Sequence, residues 1–296
     1  MNRALLLLAL LGLSLTSRAE LLVLRFADVV ENPSHAGRER LSREQLTARF
    51  DWLAAQGYQV IGLQALIDAR AGRAELPPRA LLLSFDGGYR SLESEVEPLL
   101  RAFGWQAVAA LPTARIGAEP DRLDWASVRR LKAGGALEFI SAGHALDQPW
   151  PGAADGTPRP PRSLRLYAEG ELETSRDYAA RVAADLQLSR EAIESALGAP
   201  PRAIAWPQGD WTALGMREAE LRGIPLGFDL SGKAAADDGL PVVARLDVAS
   251  AAGLADFAAE LAPRRPRAFR AVQVDLDYVY DPDPVQLERN LDALIE

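Results

Sequence analysis

The sequence predicts an α/β fold in which β-α units repeat around a parallel sheet or barrel. Short apolar runs rich in Leu, Val and Ile alternate with helical patterns along the chain, as they do in folds of this class. The run from Leu81 to Leu83 is continuously apolar, which is typical of a strand that is covered on both faces. A chain of 296 residues can build one large domain of this kind, or one domain and a fragment of another.

Strands are predicted where the apolar runs are short and bounded by turn residues. They cover residues 21–26, 59–62, 80–85, 106–111, 137–141, 203–206, 226–229 and 242–245. In a barrel, the loops that follow the carboxyl ends of the strands build the binding face.

The first predicted helix is the most clearly marked. Ser42 and Gln45 form a capping box, Leu46 and Leu53 belong to one apolar stripe, and Gly57 ends the helix. The other predicted helices cover residues 63–71, 91–103, 125–132, 175–197, 212–222 and 253–261.

Residues 1–19 are predicted to be a secretory signal peptide. Arg3 precedes an apolar run over residues 4–15, and residues 17–19 read S-R-A, a small-x-small cleavage pattern. The run is shorter than the ~20 apolar residues that span a bilayer, so cleavage is favoured over a retained N-terminal anchor. We therefore expect a periplasmic or secreted protein with no membrane span after cleavage.

Two proline-rich stretches indicate loops or boundaries. Residues 148–162 contain five prolines and two glycines, which indicates a long exposed loop. Residues 263–270 are predicted to link a domain at 20–262 to one strand and one helix in residues 271–296. Because such a short segment cannot bury a core by itself, it either packs on the first domain or is the truncated start of a second one.

Composition excludes several classes of partner and site. The net charge of −8 argues against nucleic acid or an anionic membrane as the main partner, whereas a neutral or cationic polymer is compatible with it. The chain has no cysteine, so it has no disulfide, no thiol nucleophile and no thiolate metal site.

Asp86 is the first candidate for a chemical role. It directly follows a buried strand and precedes two glycines that permit a tight turn, which is where β/α folds place catalytic groups. The alternative is that Asp86 only caps the next helix or turn.

The segment around Asp86 resembles a known motif. Residues 84–89 read S-F-D-G-G-Y and resemble the T-F-D-D-G-Y motif of NodB-like polysaccharide deacetylases. The resemblance implies a distorted (β/α) barrel, with Asp86 at the position of the general base. It places Gly87 at the position of a metal-binding aspartate.

Three further segments resemble the PgaB branch of that family. They are residues 24–29 (L-R-F-A-D-V), 200–209 (P-P-R-A-I-A-W-P-Q-G) and 274–281 (V-D-L-D-Y-V-Y-D), the last of which resembles the opening of a glycoside-hydrolase-like domain. Members of this branch partially deacetylate poly-β-1,6-N-acetylglucosamine in the periplasm during biofilm polymer export. The resemblance therefore implies this polymer, and proteins of the export apparatus, as partners.

The chain departs from the family pattern where the metal is held. The family's ligands are an aspartate and two histidines, and the matching positions here are Gly87, Ala142 and Asp147. Ala27 and Gln208 replace two further family side chains on the same face.

These departures predict that no metal is held and that deacetylase activity is lost or weak. In the family a divalent metal such as zinc, nickel or cobalt makes the acetamide hydrolysable. The chain has two histidines, His35 and His144, so a replacement site with two histidines is not expected. His144 and Asp147 are the possible remnants of the site, and the alternatives are a hydrogen-bonding histidine and a solvated loop carboxylate.

Two tryptophans and two aspartates are candidates for binding sugar. Trp206 follows a predicted strand and is either a stacking platform or part of the core, whereas Trp150 is expected to be exposed in the proline-rich loop. Asp275 and Asp277 share one face of a predicted strand and resemble sugar-contacting acids of the second domain. The alternative for them is a solvated strand edge.

Three hypotheses for function follow from these residues. The first is a family member that binds the polymer with little or no turnover. The second is an active metal-dependent polysaccharide N-deacetylase with an atypical site built from Asp28, His144 or Asp147. The third is a non-enzymatic scaffold of the export apparatus.

Overall fold

The computed structural model describes residues 21–31, 34, 40–149, 162–165, 167–168, 171–232, 241–248 and 253–262. The predicted signal peptide, the linker, the segment 271–296 and the candidates His35, Trp150, Asp275 and Asp277 lie outside the described residues. None of the helices within these ranges combines the length and the hydrophobicity that crossing a lipid bilayer requires.

The strands fall where the apolar runs predict them, with a few short additions. Their bounds are β1 Leu21–Phe26, β2 Asp28–Val30, β3 Arg40–Ser42, β4 Gln59–Val60, β5 Ala80–Asp86, β6 Ala107–Leu111, β7 Leu137–Ser141, β8 Tyr167–Ala168, β9 Glu171–Leu172, β10 Ala203–Ala205, β11 Leu226–Asp229, β12 Val242–Ala244 and β13 Leu246–Asp247. The sequence analysis missed β2, β3, β8, β9 and β13, which are only two or three residues long and give too little pattern to detect.

Most of these strands form one parallel sheet. Its order is β12-β11-β10-β7-β6-β5-β1-β13, and β4 pairs with the beginning of β5. The two strands at the ends of this order, β12 and β13, are consecutive in the chain, so the sheet curls into a nearly closed barrel. This confirms the (β/α) barrel that the sequence predicts.

The helices also agree with the predictions. Their bounds are α1 Arg43–Ala55, α2 Leu63–Arg70, α3 Glu97–Phe103, α4 Trp125–Gly134, α5 Ser175–Leu197, α6 Ala213–Leu221 and α7 Leu254–Leu261. The capping box of α1 is confirmed, since the Ser42 side chain accepts from the backbone of Gln45 and the Gln45 side chain accepts from the backbone of Ser42.

One predicted helix is divided. Residues 91–103 were expected to form a single helix, but the structure has a π-helical turn over Leu92–Val96 followed by α3. Pro98 lies at the beginning of α3. Because proline has no backbone N–H to donate, the regular hydrogen-bond ladder cannot run unbroken through this position.

Both faces of the central strands are buried. Leu81 and Leu83 of β5 belong to the core between the sheet and the helices, whereas Leu82 packs inside the barrel with strand residues such as Val108 and Phe228. The continuous apolar run therefore packs into a core on each face of the sheet, as the sequence predicts.

The barrel closes through a break in a predicted strand. Residues 242–245 were expected to form one strand, but β12 ends at Ala244 and β13 begins at Leu246. Between them Arg245 donates its backbone N–H to the Asp229 carbonyl at 3.3 Å, and its side chain is fully buried. This break allows the chain to leave β11 and pair with β1.

Candidate functional site

A pocket of about 150 Å³ opens at the rim where β5, β7 and β10 end. Its walls include Asp86, Gly87, Ala142, Asp147 and Trp206. Residues far apart in the sequence meet here because parallel strands present their carboxyl ends at one edge of a barrel. The structure thus brings together the position of the base and all three positions at which the resemblance places metal ligands.

Asp86 is held by two arginines. Arg245 Nη1 donates to Asp86 Oδ1 at 2.6 Å, and Arg25 Nε donates to Asp86 Oδ2 at 3.3 Å. Burial raises the pKa of Asp86, but the charges and hydrogen bonds of Arg245 and Arg25 outweigh it and bring that pKa below its ordinary value. The carboxylate is thus a stabilised anion bound on both oxygens, and it does not serve as the cap of a helix or turn.

The sequence analysis missed both of these arginines as partners of Asp86. Arg25 lies 61 positions and Arg245 159 positions away in the chain. Arg245 also donates to Ser84 Oγ at 3.2 Å and to the Asp229 carbonyl at 3.1 Å. Arg25 lies in the segment 24–29 that resembles the PgaB branch, but no sequence pattern marked either arginine as a partner of Asp86, because their pairing with Asp86 exists only once the barrel has closed.

Gly87 adopts a backbone conformation that excludes most side chains. Its φ is +99°, and a Cβ atom at this position would lie 2.5 Å from the Tyr89 ring and 2.7 Å from Arg122 Nη1. Arg122 Nη1 also donates to the Gly87 carbonyl at 2.7 Å. The space in which a ligand side chain at position 87 would begin is therefore filled.

Arg122 is fixed in this place by several contacts. It is only 5% exposed, and its guanidinium carbon lies 3.7 Å from the centre of the Tyr89 ring, within the range of a cation–π contact. Its Nε donates to Glu119 Oε2 at 3.2 Å. A permanent positive charge therefore sits beside the position at which the family aspartate would bind a cation.

Asp147 is also paired with an arginine. Arg115 Nη1 donates to Asp147 Oδ2 at 2.9 Å, and Arg115 Nε donates to Glu119 Oε1 at 2.9 Å. The second oxygen, Asp147 Oδ1, is buried and has no hydrogen-bond partner among the described residues. Burial raises the pKa of Asp147 above its ordinary value, despite the opposing charge of Arg115.

His144 does not line this pocket. Its Nδ1 lies 3.1 Å from Thr113 Oγ1, and its backbone N–H donates to Asp185 at 2.6 Å. Asp28 is likewise engaged elsewhere, by Ser91 at 2.8 Å and Arg40 at 3.4 Å. The structure therefore does not bring together the atypical metal ligands Asp28, His144 and Asp147.

The residues of the pocket do not fit a divalent metal. Gly87 and Ala142 offer no ligand atom, and the Asp147 carboxylate is paired with Arg115. Within the described ranges, no group of three or more His, Asp or Glu side chains is placed to hold a metal ion. The neighbouring guanidinium groups of Arg115 and Arg122 would in addition repel a cation.

Trp206 lines the pocket but belongs mainly to the core. It is 1% exposed and packs with Tyr178, Val182 and Met216. This burial favours the core interpretation over an open stacking platform, and sugar binding by Trp206 stays a prediction.

Comparison with known proteins agrees with the fold. Residues 73–226 match the family model described as polysaccharide deacetylase. Over 268 residues the chain is 27% identical to poly-beta-1,6-N-acetyl-D-glucosamine N-deacetylase of Escherichia coli (strain K12), and the match covers 85% of this chain and 40% of that protein. The chain therefore spans less than half the length of this curated relative.

Solved structures show the same barrel. A de-N-acetylase from Aggregatibacter actinomycetemcomitans superposes with a TM-score of 0.74 at 25% identity, covering 82% of this chain and 100% of that one. The deacetylase domain of BpsB from Bordetella bronchiseptica superposes with a TM-score of 0.65 at 29% identity, covering 77% and 95% of the two chains. IcaB from Ammonifex degensii, at 22% identity and a TM-score of 0.65 over 78% of this chain and 92% of that one, shares the fold.

Proposed function

Because this chain belongs to the polysaccharide deacetylase family, we propose that its barrel binds poly-β-1,6-N-acetylglucosamine with little or no hydrolysis of the acetamide groups. The E. coli relative, named for N-deacetylation of this polymer, supports the choice of ligand. The main support for the loss of hydrolysis is that Arg122 and Arg115 lie in the pocket beside the metal-ligand positions.

Hydrolysis of an acetamide in this family depends on a metal that polarises the carbonyl and lowers the pKa of the attacking water. The pocket residues that the structure describes offer no set of ligands for that metal. Asp86 is also a poor general base, since Arg245 and Arg25 occupy both of its oxygens and lower its pKa. An efficient general base has a pKa closer to the working pH.

The same pocket suits a neutral sugar. The pairs Arg25–Asp86 and Arg115–Asp147 line it together with Tyr89. Each pair offers donors on the guanidinium and acceptors on the carboxylate, and a sugar hydroxyl can use both because it donates and accepts at once. Binding of this kind needs no metal and leaves the acetamide intact.

We propose that the protein acts in the periplasm or outside the cell. The support for this location is the pattern of residues 1–19, with an apolar run followed by a small-x-small cleavage motif. Proteins of the exopolysaccharide export apparatus are proposed as further partners, by analogy with the family.

A binding and turnover assay on one sample tests the proposal. Oligomers of β-1,6-N-acetylglucosamine are titrated by calorimetry, acetate release is followed, and the metal content is measured after dialysis. We expect saturable binding, no bound metal and acetate release far below that of an active family member. Stoichiometric zinc, nickel or cobalt together with acetate release would contradict the proposal, as would the absence of any binding.

The substitution Arg115→Gln tests whether the oligomer binds in this pocket. Arg115 lines the pocket and is about one-third exposed, so its loss is expected to weaken binding roughly fivefold to tenfold, the effect of about one hydrogen bond. The matched control is Arg130→Gln. Arg130 pairs with Glu93 on the surface away from this pocket, and its replacement is expected to leave affinity unchanged.

A further inference from the structure

A second pocket adjoins the first one. It has a volume of about 270 Å³ and is lined by residues that include Gln208, Asp210, Trp211 and Asp229. Gln208 also lines the first pocket, so the two share a wall. Two pockets that share a wall can hold neighbouring units of one chain of linked sugars.

The second pocket contains carboxylates without a matching cation. Among the described residues that line it, Asp210 and Asp229 are charged and no arginine, lysine or histidine is present. Asp229 Oδ1 accepts hydrogen bonds from the backbone and the side chain of Ser231, both at 3.0 Å. The Asp210 carboxylate has no hydrogen bond or ion pair within the described part of the chain.

Burial in this pocket destabilises the charged form of the Asp210 carboxylate. Burial raises the pKa of Asp210, and no positive charge among the described residues opposes the effect. In contrast, burial of Asp86 is more than offset by two arginines. A partly buried carboxylate without a partner is stabilised when a bound ligand supplies the missing positive charge.

Trp211 lies beside Asp210 in the same wall. It is half-buried and packs against the core cluster that contains Trp206, which fixes the position of its ring. An aromatic surface next to a carboxylate suits a sugar ring that carries an ammonium group. The ring contacts the apolar face of the sugar, and the carboxylate pairs with the charge.

From these observations we infer that the second pocket is a subsite for an amino sugar with a free, protonated amine, such as a de-N-acetylated glucosamine unit of the bound polymer. This inference rests on the proposed glycan binding and adds a specificity to it. The first pocket accepts neutral N-acetylated units, and the second one favours a cationic unit next to them.

The test compares two ligands on three proteins. Fully N-acetylated and partially de-N-acetylated β-1,6-glucosamine oligomers of equal length are titrated into the wild type, into Asp210→Asn and into Asp51→Asn. Asp51 is exposed on α1, so its replacement removes the same charge away from the pocket. Thermal melting confirms that the variants are folded.

We expect the wild type and Asp51→Asn to bind the amine-bearing oligomer about twofold to fivefold more tightly than the acetylated one, the range of one half-exposed ion pair. Asp210→Asn is expected to bring the ratio of the two affinities close to one without weakening the binding of the acetylated oligomer. A wild type without preference, or a preference that survives in Asp210→Asn, would overturn the inference and leave the proposed glycan binding standing. Failure of both oligomers to bind the wild type would overturn both.

Discussion

Arg122 places its guanidinium where a side chain at position 87 would begin, and this contact decides what the pocket can hold. The group is buried, stacked on Tyr89 and bonded to the Gly87 carbonyl. A guanidinium donates hydrogen bonds but has no vacant orbital with which to polarise a carbonyl as a metal ion does. The pocket thus keeps a positive charge near this position and loses the chemistry that a metal supplies.

Gly87→Ala tests this packing against Gly72→Ala. Both glycines have a positive φ, +99° at Gly87 and +67° at Gly72, but only Gly87 has atoms within 4 Å of the added Cβ. Backbone strain alone is expected to cost about 1 kcal/mol at Gly72, and strain with the collision against Tyr89 and Arg122 about 2–3 kcal/mol at Gly87. Urea denaturation measures both losses, and equal values would show that Arg122 and Tyr89 do not fill this space.

At the scale of elements, α5 holds the loop that follows β7. Asp185 accepts the backbone N–H groups of His144 and Ala145 at 2.6 and 2.8 Å, and Ser189 is hydrogen-bonded to Ser141 at 2.8 Å. This loop carries Asp147, which lies in the wall of the first pocket. The helix therefore determines where one side of the binding site stands.

Asp185→Ala is expected to loosen this loop. Two partly buried N–H groups would lose their acceptor, which costs about 1 kcal/mol of folding free energy each, the lower end of the range for buried groups. Affinity for the acetylated oligomer is expected to fall because Asp147 is displaced. Glu191→Ala, an exposed position on the same helix, serves as the control. Denaturation and calorimetry measure the two effects, and unchanged affinity in a destabilised Asp185→Ala would separate the loop from binding.

At the scale of the whole molecule, the cluster around Asp86 joins the two ends of the barrel. Asp86 ends β5, Arg25 lies on β1, and Arg245 lies at the break between β12 and β13. Arg25 Nη1 also donates to Asp247 of β13 at 3.3 Å. These ionic contacts lie where the sheet closes, so they are expected to stabilise the closed barrel.

Asp86→Asn is expected to lower the free energy of unfolding by about 3–5 kcal/mol at neutral pH, because Arg245 would remain buried without its anion. The matched change Asp68→Asn removes a partly exposed carboxylate that pairs with the exposed side chain of Arg73 and is expected to have little effect. Chemical denaturation of both variants measures the difference, and equal small losses would contradict the structural role of Asp86.

The same cluster gives the wild type a pH dependence. Because the pKa of Asp86 is lower in the folded chain than its ordinary value of 3.8, its contribution is complete above that value and is lost as the pH falls through the folded pKa. Asp86→Asn is expected to lack this acid-dependent component. Denaturation of the two proteins at a series of pH values between about 5 and 2 measures this component. If the free energy of unfolding depends on pH identically in both, Asp86 is not the group responsible.

The sequence by itself determined the β-α order and the positions of the longer strands and of most helices, and its resemblance to the family indicated where metal ligands are missing. The order and the bounds of these elements depend on local periodicity, capping and turn residues, which operate within a few neighbouring positions. Only the tertiary structure decided that Arg25 and Arg245 bind Asp86, that Arg122 fills the space beside Gly87, and that His144 lies outside the pocket. Such pairings join residues tens to hundreds of positions apart, and they come into existence when the barrel closes and brings the strand ends to one rim.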